Sequence, residues 1–128
     1  MTHALKWLSP LAISCLLLAG CARGSKEASR PLPSGPTPLR VENHNWLDVT
    51  IYVVHDGQRS RLGSATAAKT TDFSIEPYLL GQLGVIQLIA DPVGSEQSIA
   101  SPTVTVGAGT RLVWTLQTDL SRSSLAVY

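Results

Sequence analysis

From Leu39 to the end of the chain, apolar residues fall at alternate positions in short runs, and each run stops at Gly, Pro, Asn or Asp. Alternation with period two puts one face of a strand in a core and the other in water, and runs of this length separated by turn residues describe antiparallel sheets. The runs predict strands over Leu39–Asn43, Asp48–His55, Gln58–Ala65, Thr70–Ile75, Val85–Asp91, Ser98–Val106, Thr110–Gln117 and Ser123–Val127. The expected fold is therefore all-β, an antiparallel β-sandwich of about seven or eight strands.

Two turns set registers. Asp56-Gly57 suits a two-residue type I′ turn, in which both central residues need positive φ. Counting outward from it places His55 opposite Gln58, Tyr52 opposite Arg61 and Ile51 opposite Leu62. Val49, Ile51 and Val53 then share the core face, with Ile51 meeting Leu62 inside and Tyr52 meeting Arg61 outside, where the cation can lie on the ring. Arg59 and Arg61 as binding residues are the alternative. A second hairpin is expected around Gly107-Ala108-Gly109. Three loop residues bring Val104 opposite Leu112 and keep both facing inward, which makes Trp114, between Leu112 and Leu116, a core aromatic completed by Phe73 and Ile75. Glu76 to Gly84 reads as a crossover loop in which Pro77-Tyr78-Leu79-Leu80 can open a helical turn, and Asp91-Pro92-Val93-Gly94-Ser95 reads as a turn.

The first third of the chain follows another pattern. Lys6 precedes an apolar run from Leu8 to Leu18 of about ten usable residues, half the ~20 that a transmembrane helix requires, as in a secretory signal peptide. Leu18-Ala19-Gly20-Cys21 follows and resembles the lipobox of bacterial lipoproteins at each position. The resemblance implies cleavage before Cys21, a diacylglycerol thioether on its sulfur and commonly an acylated amino group, and two or three acyl chains make an effectively permanent membrane anchor. Ala22 after the cysteine resembles an outer-membrane address. An ordinary secretory signal that happens to place Cys21 after Gly20 is the competing reading.

Ala22 to Pro38 holds Pro31, Pro33, Pro36 and Pro38 and a single large apolar residue, Leu32. Such a segment buries too little surface to fold, so it is expected to be a disordered Pro/Ser/Gly spacer reaching roughly 20 to 50 Å; a proline-rich docking site is the alternative. The expected organisation is a signal peptide at 1–20, a lipidated linker at 21–38 and a β-sandwich domain at 39–128.

Composition narrows the function. The 128 residues carry a formal net charge of +1, and loss of the leader with Lys6 takes it to 0, so no field draws in nucleic acid or an anionic surface. Both cysteines, Cys15 and Cys21, precede the domain, which must hold together by packing alone. His44 and His55 flank one strand and should lie roughly 20 Å apart, too far to share a metal. No nucleophile elbow or phosphate loop is present, and no cofactor is implied. Glu42, Asp48, Glu76, Asp91 and Glu96 are the carboxylates from which a glycosidase-like pair would have to come.

The one segment exceeding structural need is Asn43-His44-Asn45-Trp46-Leu47, a large aromatic among polar residues in a loop. A core short of large residues favours Trp46 and Leu47 folding back to plug the end of the sandwich. The alternative is a contact for a protein or glycan partner.

Beyond Leu39 the chain resembles a family of small bacterial lipoproteins with no attached activity, through Val41-Glu42-Asn43, Val49 to Val54, Arg61-Leu62-Gly63, Ala90 to Ser95 and Trp114-Thr115-Leu116. More loosely it is similar to transthyretin-like and immunoglobulin-like modules. The expectation is a lipid-anchored, noncatalytic envelope protein, of the outer membrane by its Ala22 address, that binds or scaffolds another envelope component. A small hydrolase and a subunit of a secretion or transport assembly are the rivals, the first to be marked by a cleft with two convergent carboxylates and the second by a complex that survives detergent.

Overall fold

The computed structural model describes residues 31–128. The expected signal peptide, Cys21 and the expected linker as far as Arg30 lie outside the described residues. The strands, in chain order, are β1 (Thr37–Asn43), β2 (Val49–His55), β3 (Gln58–Ala65), β4 (Thr70–Ile75), β5 (Val85–Pro92), β6 (Ile99–Ala100), β7 (Val104–Thr105), β8 (Leu112–Leu116) and β9 (Ser124–Val127). Short 3₁₀ turns occupy Pro77–Leu80 and Leu120–Arg122. One sheet runs β4-β1-β8-β9, the other β3-β2-β5-β6, with β7 also pairing β5. The all-β two-sheet architecture is as expected, with nine strands among the described residues.

The core lies where the inward positions of the two sheets meet. Leu39 and Val41 of β1, Leu112, Trp114 and Leu116 of β8, Val49, Ile51 and Val53 of β2, and Ile86, Leu88 and Ala90 of β5 are all buried. Trp114, the largest, is 1% exposed and stands between Val41 and Leu125 in the register. Ile75 is fully buried, Phe73 only partly.

Five local expectations are corrected. The linker does not extend to Pro38, because Thr37 begins β1 opposite Ile75 and the Pro31 carbonyl accepts a 2.8 Å hydrogen bond from the Ala108 N–H. Proline lacks a donor but keeps its acceptor, and Pro38 is tolerated because the β8 ladder starts only at Leu39. The first hairpin forms on Asp56 (φ 48°) and Gly57 (φ 74°) with Tyr52 opposite Arg61, but a bulge then pairs Ile51 with Gly63 and leaves Leu62 as the extra residue. The Phe73 ring takes that space: a Cβ on Gly63 would sit 2.8 Å from its Cε1. Arg59, not Arg61, covers Tyr52, at 3.8 Å from the ring centre and 3.7 Å from Asp91 Oδ2, because the diagonal neighbour has the better reach.

A further correction is topological. Val104 does not face Leu112; Gly107 to Gly109 carries the chain from β7, which pairs β5, across to β8, which runs parallel to β1. The alternation is satisfied equally by a hairpin or by a crossing between sheets, since Val106 and Leu112 are buried either way. The expected single strand Ser98–Val106 is also split, as Ser101 turns its Oγ to accept from Leu88 N–H (2.9 Å) and Pro102, without an N–H, interrupts the ladder.

Candidate functional site

β1 ends at Asn43 and β2 begins at Val49, so the segment between them caps one end of the sandwich. Alternation continues through it: Asn43 and Asn45 point inward and are buried, while His44, Trp46 and Leu47 are exposed. Asn43 is 2% exposed, and its Nδ2 donates to the carbonyls of Leu47 (3.0 Å), Ala65 (3.2 Å) and Thr66 (3.2 Å), while its Oδ1 accepts from Asn45 N–H (2.9 Å). Asn45 Nδ2 donates to the carbonyls of Gln117 (3.4 Å) and Thr118 (3.0 Å), and its Oδ1 accepts from Leu47 N–H (3.0 Å). Asparagine suits these positions because its amide carries donors and acceptors together and its short chain bonds readily to nearby backbone.

These bonds tie the loop to its neighbours on both sheets. Ala68 N–H donates to the Asn45 carbonyl at 3.1 Å, and Ala67 N–H to Asp48 Oδ1 at 2.8 Å. Thr118 Oγ1 reaches the His44 carbonyl at 3.3 Å. Trp46 thus stands on a braced loop with 80% of its surface in solvent. The plug reading is overturned: Trp46 is 80% and Leu47 38% exposed, and the inward-facing residues of the loop are Asn43 and Asn45, whose amides bond to backbone carbonyls.

Of the five loop residues singled out from the sequence, His44, Trp46 and Leu47 are available to a partner, and Asn43 and Asn45 are the frame that presents them. Sequence reasoning missed Val93, 56% exposed at the same end, where its N–H donates to the Asp48 carbonyl (2.9 Å). A valine inside a turn was the available signal. A shallow recess lined by Gln117, Thr118, Asp119 and Arg122 adjoins the loop. Asp119 Oδ1 accepts from Ser121 N–H (3.1 Å) and Oγ (2.6 Å), and these bonds hold its carboxyl below the usual aspartate range.

The other chemistry-bearing residues are dispersed. His44 precedes β2 and His55 ends it, so the two lie at opposite ends of that strand, and no group of His, Cys, Asp and Glu suited to a metal occurs among the described residues. Asp48 accepts from Ala67, Asp91 is beside Arg59, Glu76 precedes the Pro77–Leu80 turn at the far end, and Glu96 lies between β5 and β6. A groove of about 480 Å³ on the outer face of the β4-β1-β8-β9 sheet contains Glu42 and Asp72, but Asp72 is bonded to Arg40 at 2.9 Å and Glu42 accepts from Thr115 Oγ1 at 3.4 Å. Asp72 foremost, and Glu42 more weakly, raise the Arg40 guanidinium above its ordinary range. No helix among the described residues is long and apolar enough to cross a membrane.

No family model matches the chain, and no curated protein matches it. Among solved structures, an NMR structure of a protein from Eubacterium rectale is similar at 17% identity, covering 74% of this chain and 88% of that one with a TM-score of 0.41. Likeness at that level assigns no activity.

Proposed function

We propose that the chain is a lipid-anchored, noncatalytic protein of the bacterial cell envelope, in the outer membrane, whose β-sandwich binds another envelope component, a protein or a glycan, through the Trp46 end. The observation that carries the binding reading is an indole 80% exposed on a loop fixed by two buried asparagines. Holding a large aromatic in water serves no purpose in the fold, whereas a rigid aromatic anchor loses little conformational entropy on binding. Leu47 and Val93 extend the apolar contact, and the Gln117 to Arg122 recess offers polar groups around it. The anchoring reading is supported by the lipobox-like Leu18-Ala19-Gly20-Cys21.

The placement of the loop supports the two readings together. β1 leads from Thr37, beside the linker, to Asn43, six steps or roughly 20 Å away, so Trp46 faces away from the side on which Cys21 joins the domain. A photocrosslinking residue at position 46 in living cells should capture a discrete protein or glycan, and one at Arg61 should not. Nothing captured from position 46 retires the binding reading. Cys21→Ser should abolish acylation and leave the precursor unprocessed, and normal processing with membrane retention would overturn the anchor.

A further inference from the structure

The end of the sandwich opposite Trp46 also exposes large apolar residues. The Pro77–Leu80 turn buries Leu79 and Leu80 and leaves Tyr78 76% exposed; Leu83 is 78% exposed, with Val85 at 41% and Leu32 at 43%. These residues share one end because Leu32 Cδ2 lies against Gly84, within 2.7 Å of where a Cβ there would stand, and Val106 N–H donates to the Gly84 carbonyl at 2.8 Å. The chain leading back to Cys21 leaves from this same end, at Pro31. Ala22 to Arg30 is nine residues, so the Cys21 sulfur can never be more than about 35 Å from Pro31. Although the processed chain is neutral overall, the same nine residues hold Arg23, Lys26 and Arg30 against Glu27, a local excess of positive charge that acts only within a Debye length of an anionic lipid surface.

We propose that this end is a bilayer-contact face: Tyr78, Leu83, Leu32 and Val85 rest in the headgroup region of the membrane that carries the lipid on Cys21. The proposal rests on the anchoring reading and adds that the domain is seated on its membrane with a fixed orientation, Trp46 outermost. Tyrosine is suited to the headgroup level, with an apolar ring for the acyl boundary and a hydroxyl for water. Four side chains make a contact too small to recruit a free domain. A tether this short raises the effective concentration of the bilayer at this face to the millimolar range, where a weak contact is occupied.

The test uses lipidated full-length product in vesicles of phosphatidylethanolamine and phosphatidylglycerol containing a spin-labelled quencher lipid. Cys15 leaves with the leader and Cys21 is blocked by its thioether, so Leu83→Cys or Val93→Cys supplies a single free thiol for an environment-sensitive fluorophore. Both positions are exposed, so neither substitution disturbs the core. Fluorescence at 83 should be quenched several-fold more than at 93. Equal quenching at 83 and 93 in protein that floats with the vesicles would overturn the contact face and leave the anchor standing. Protein that lacks the acyl mass and does not float defeats the anchor, and the contact face with it. Crosslinking between two copies through position 83, without lipid quenching, would assign the face to a second molecule and overturn the proposal.

Discussion

Asn43→Ala tests whether the Trp46 loop is braced as described. The substitution removes an amide whose two N–H bonds are shared among the Leu47, Ala65 and Thr66 carbonyls and whose oxygen accepts from Asn45 N–H. Leu47 and Thr66 lie at exposed positions and regain water, but the bonds to the Ala65 carbonyl and from Asn45 N–H are buried. Two buried groups left without partners at ~1–3 kcal/mol each set the expected loss at about 3 kcal/mol, a large share of the stability of a domain this size. Asn43→Asp should cost more, because it retains the acceptor, turns a second oxygen toward three carbonyls and introduces a buried charge. The assay is urea denaturation of protein beginning at Ala22, which lacks Trp7, in a Trp46→Phe background that leaves Trp114 as the sole indole reporter. Hydrogen exchange below the transition should show the Asn45 and Leu47 amides losing protection in Asn43→Ala. A loss under about 0.5 kcal/mol with unchanged loop exchange, or an Asn43→Asp variant as stable as wild type, would refute the bracing.

Trp114→Ala should cost ~3–5 kcal/mol, since the indole is buried between facing strands, and an unshifted thermal transition would contradict that placement. Thr37 is 1% exposed and its Oγ1 has no hydrogen-bond partner among the described residues, so Thr37→Val should raise the urea midpoint by the equivalent of about 1 kcal/mol; a destabilised variant would mean that the hydroxyl is satisfied in solution. The Asp119 carboxyl, held below its ordinary range by Ser121, contributes stability that is present above the unfolded aspartate pKa and lost as pH falls through the lower folded value. Carboxyl carbon NMR should show Asp119 titrating below the ordinary aspartate range, and Ser121→Ala should move it back toward that range.

Much of the fold was legible because alternation and turn chemistry are local. Gln58–Ala65 and Thr70–Ile75 have the predicted bounds, the Asp56-Gly57 turn fixes His55 on Gln58, and Trp114 is buried between Leu112 and Leu116 as its neighbours required. Less of the candidate site was. The sequence marked Asn43 to Leu47 as unusual, but Asn43 and Asn45 serve the fold through carbonyls up to 73 positions away, and no local pattern distinguishes such an asparagine from one offered to a ligand. Trp46 was expected in the core because apolar character argues for burial, and it is exposed because Asn43 and Asn45 hold the inward positions of the alternation that leads into the loop.

The division between chain and fold follows the range of the forces involved. The sequence by itself determined which residues can form strands, where the chain can turn, which face of each strand is apolar and that the described domain holds no cysteine, since each depends on a residue and its near neighbours. The tertiary structure alone decided that Gly107 to Gly109 crosses between sheets, that β8 lies parallel to β1, that Leu62 falls in a bulge with the Phe73 ring against Gly63, and that Trp46 and the Pro31 end lie at opposite poles. Those outcomes depend on which strand takes up another's hydrogen bonds and on where a ring finds room, and such choices are settled only when residues distant in sequence compete for the same space.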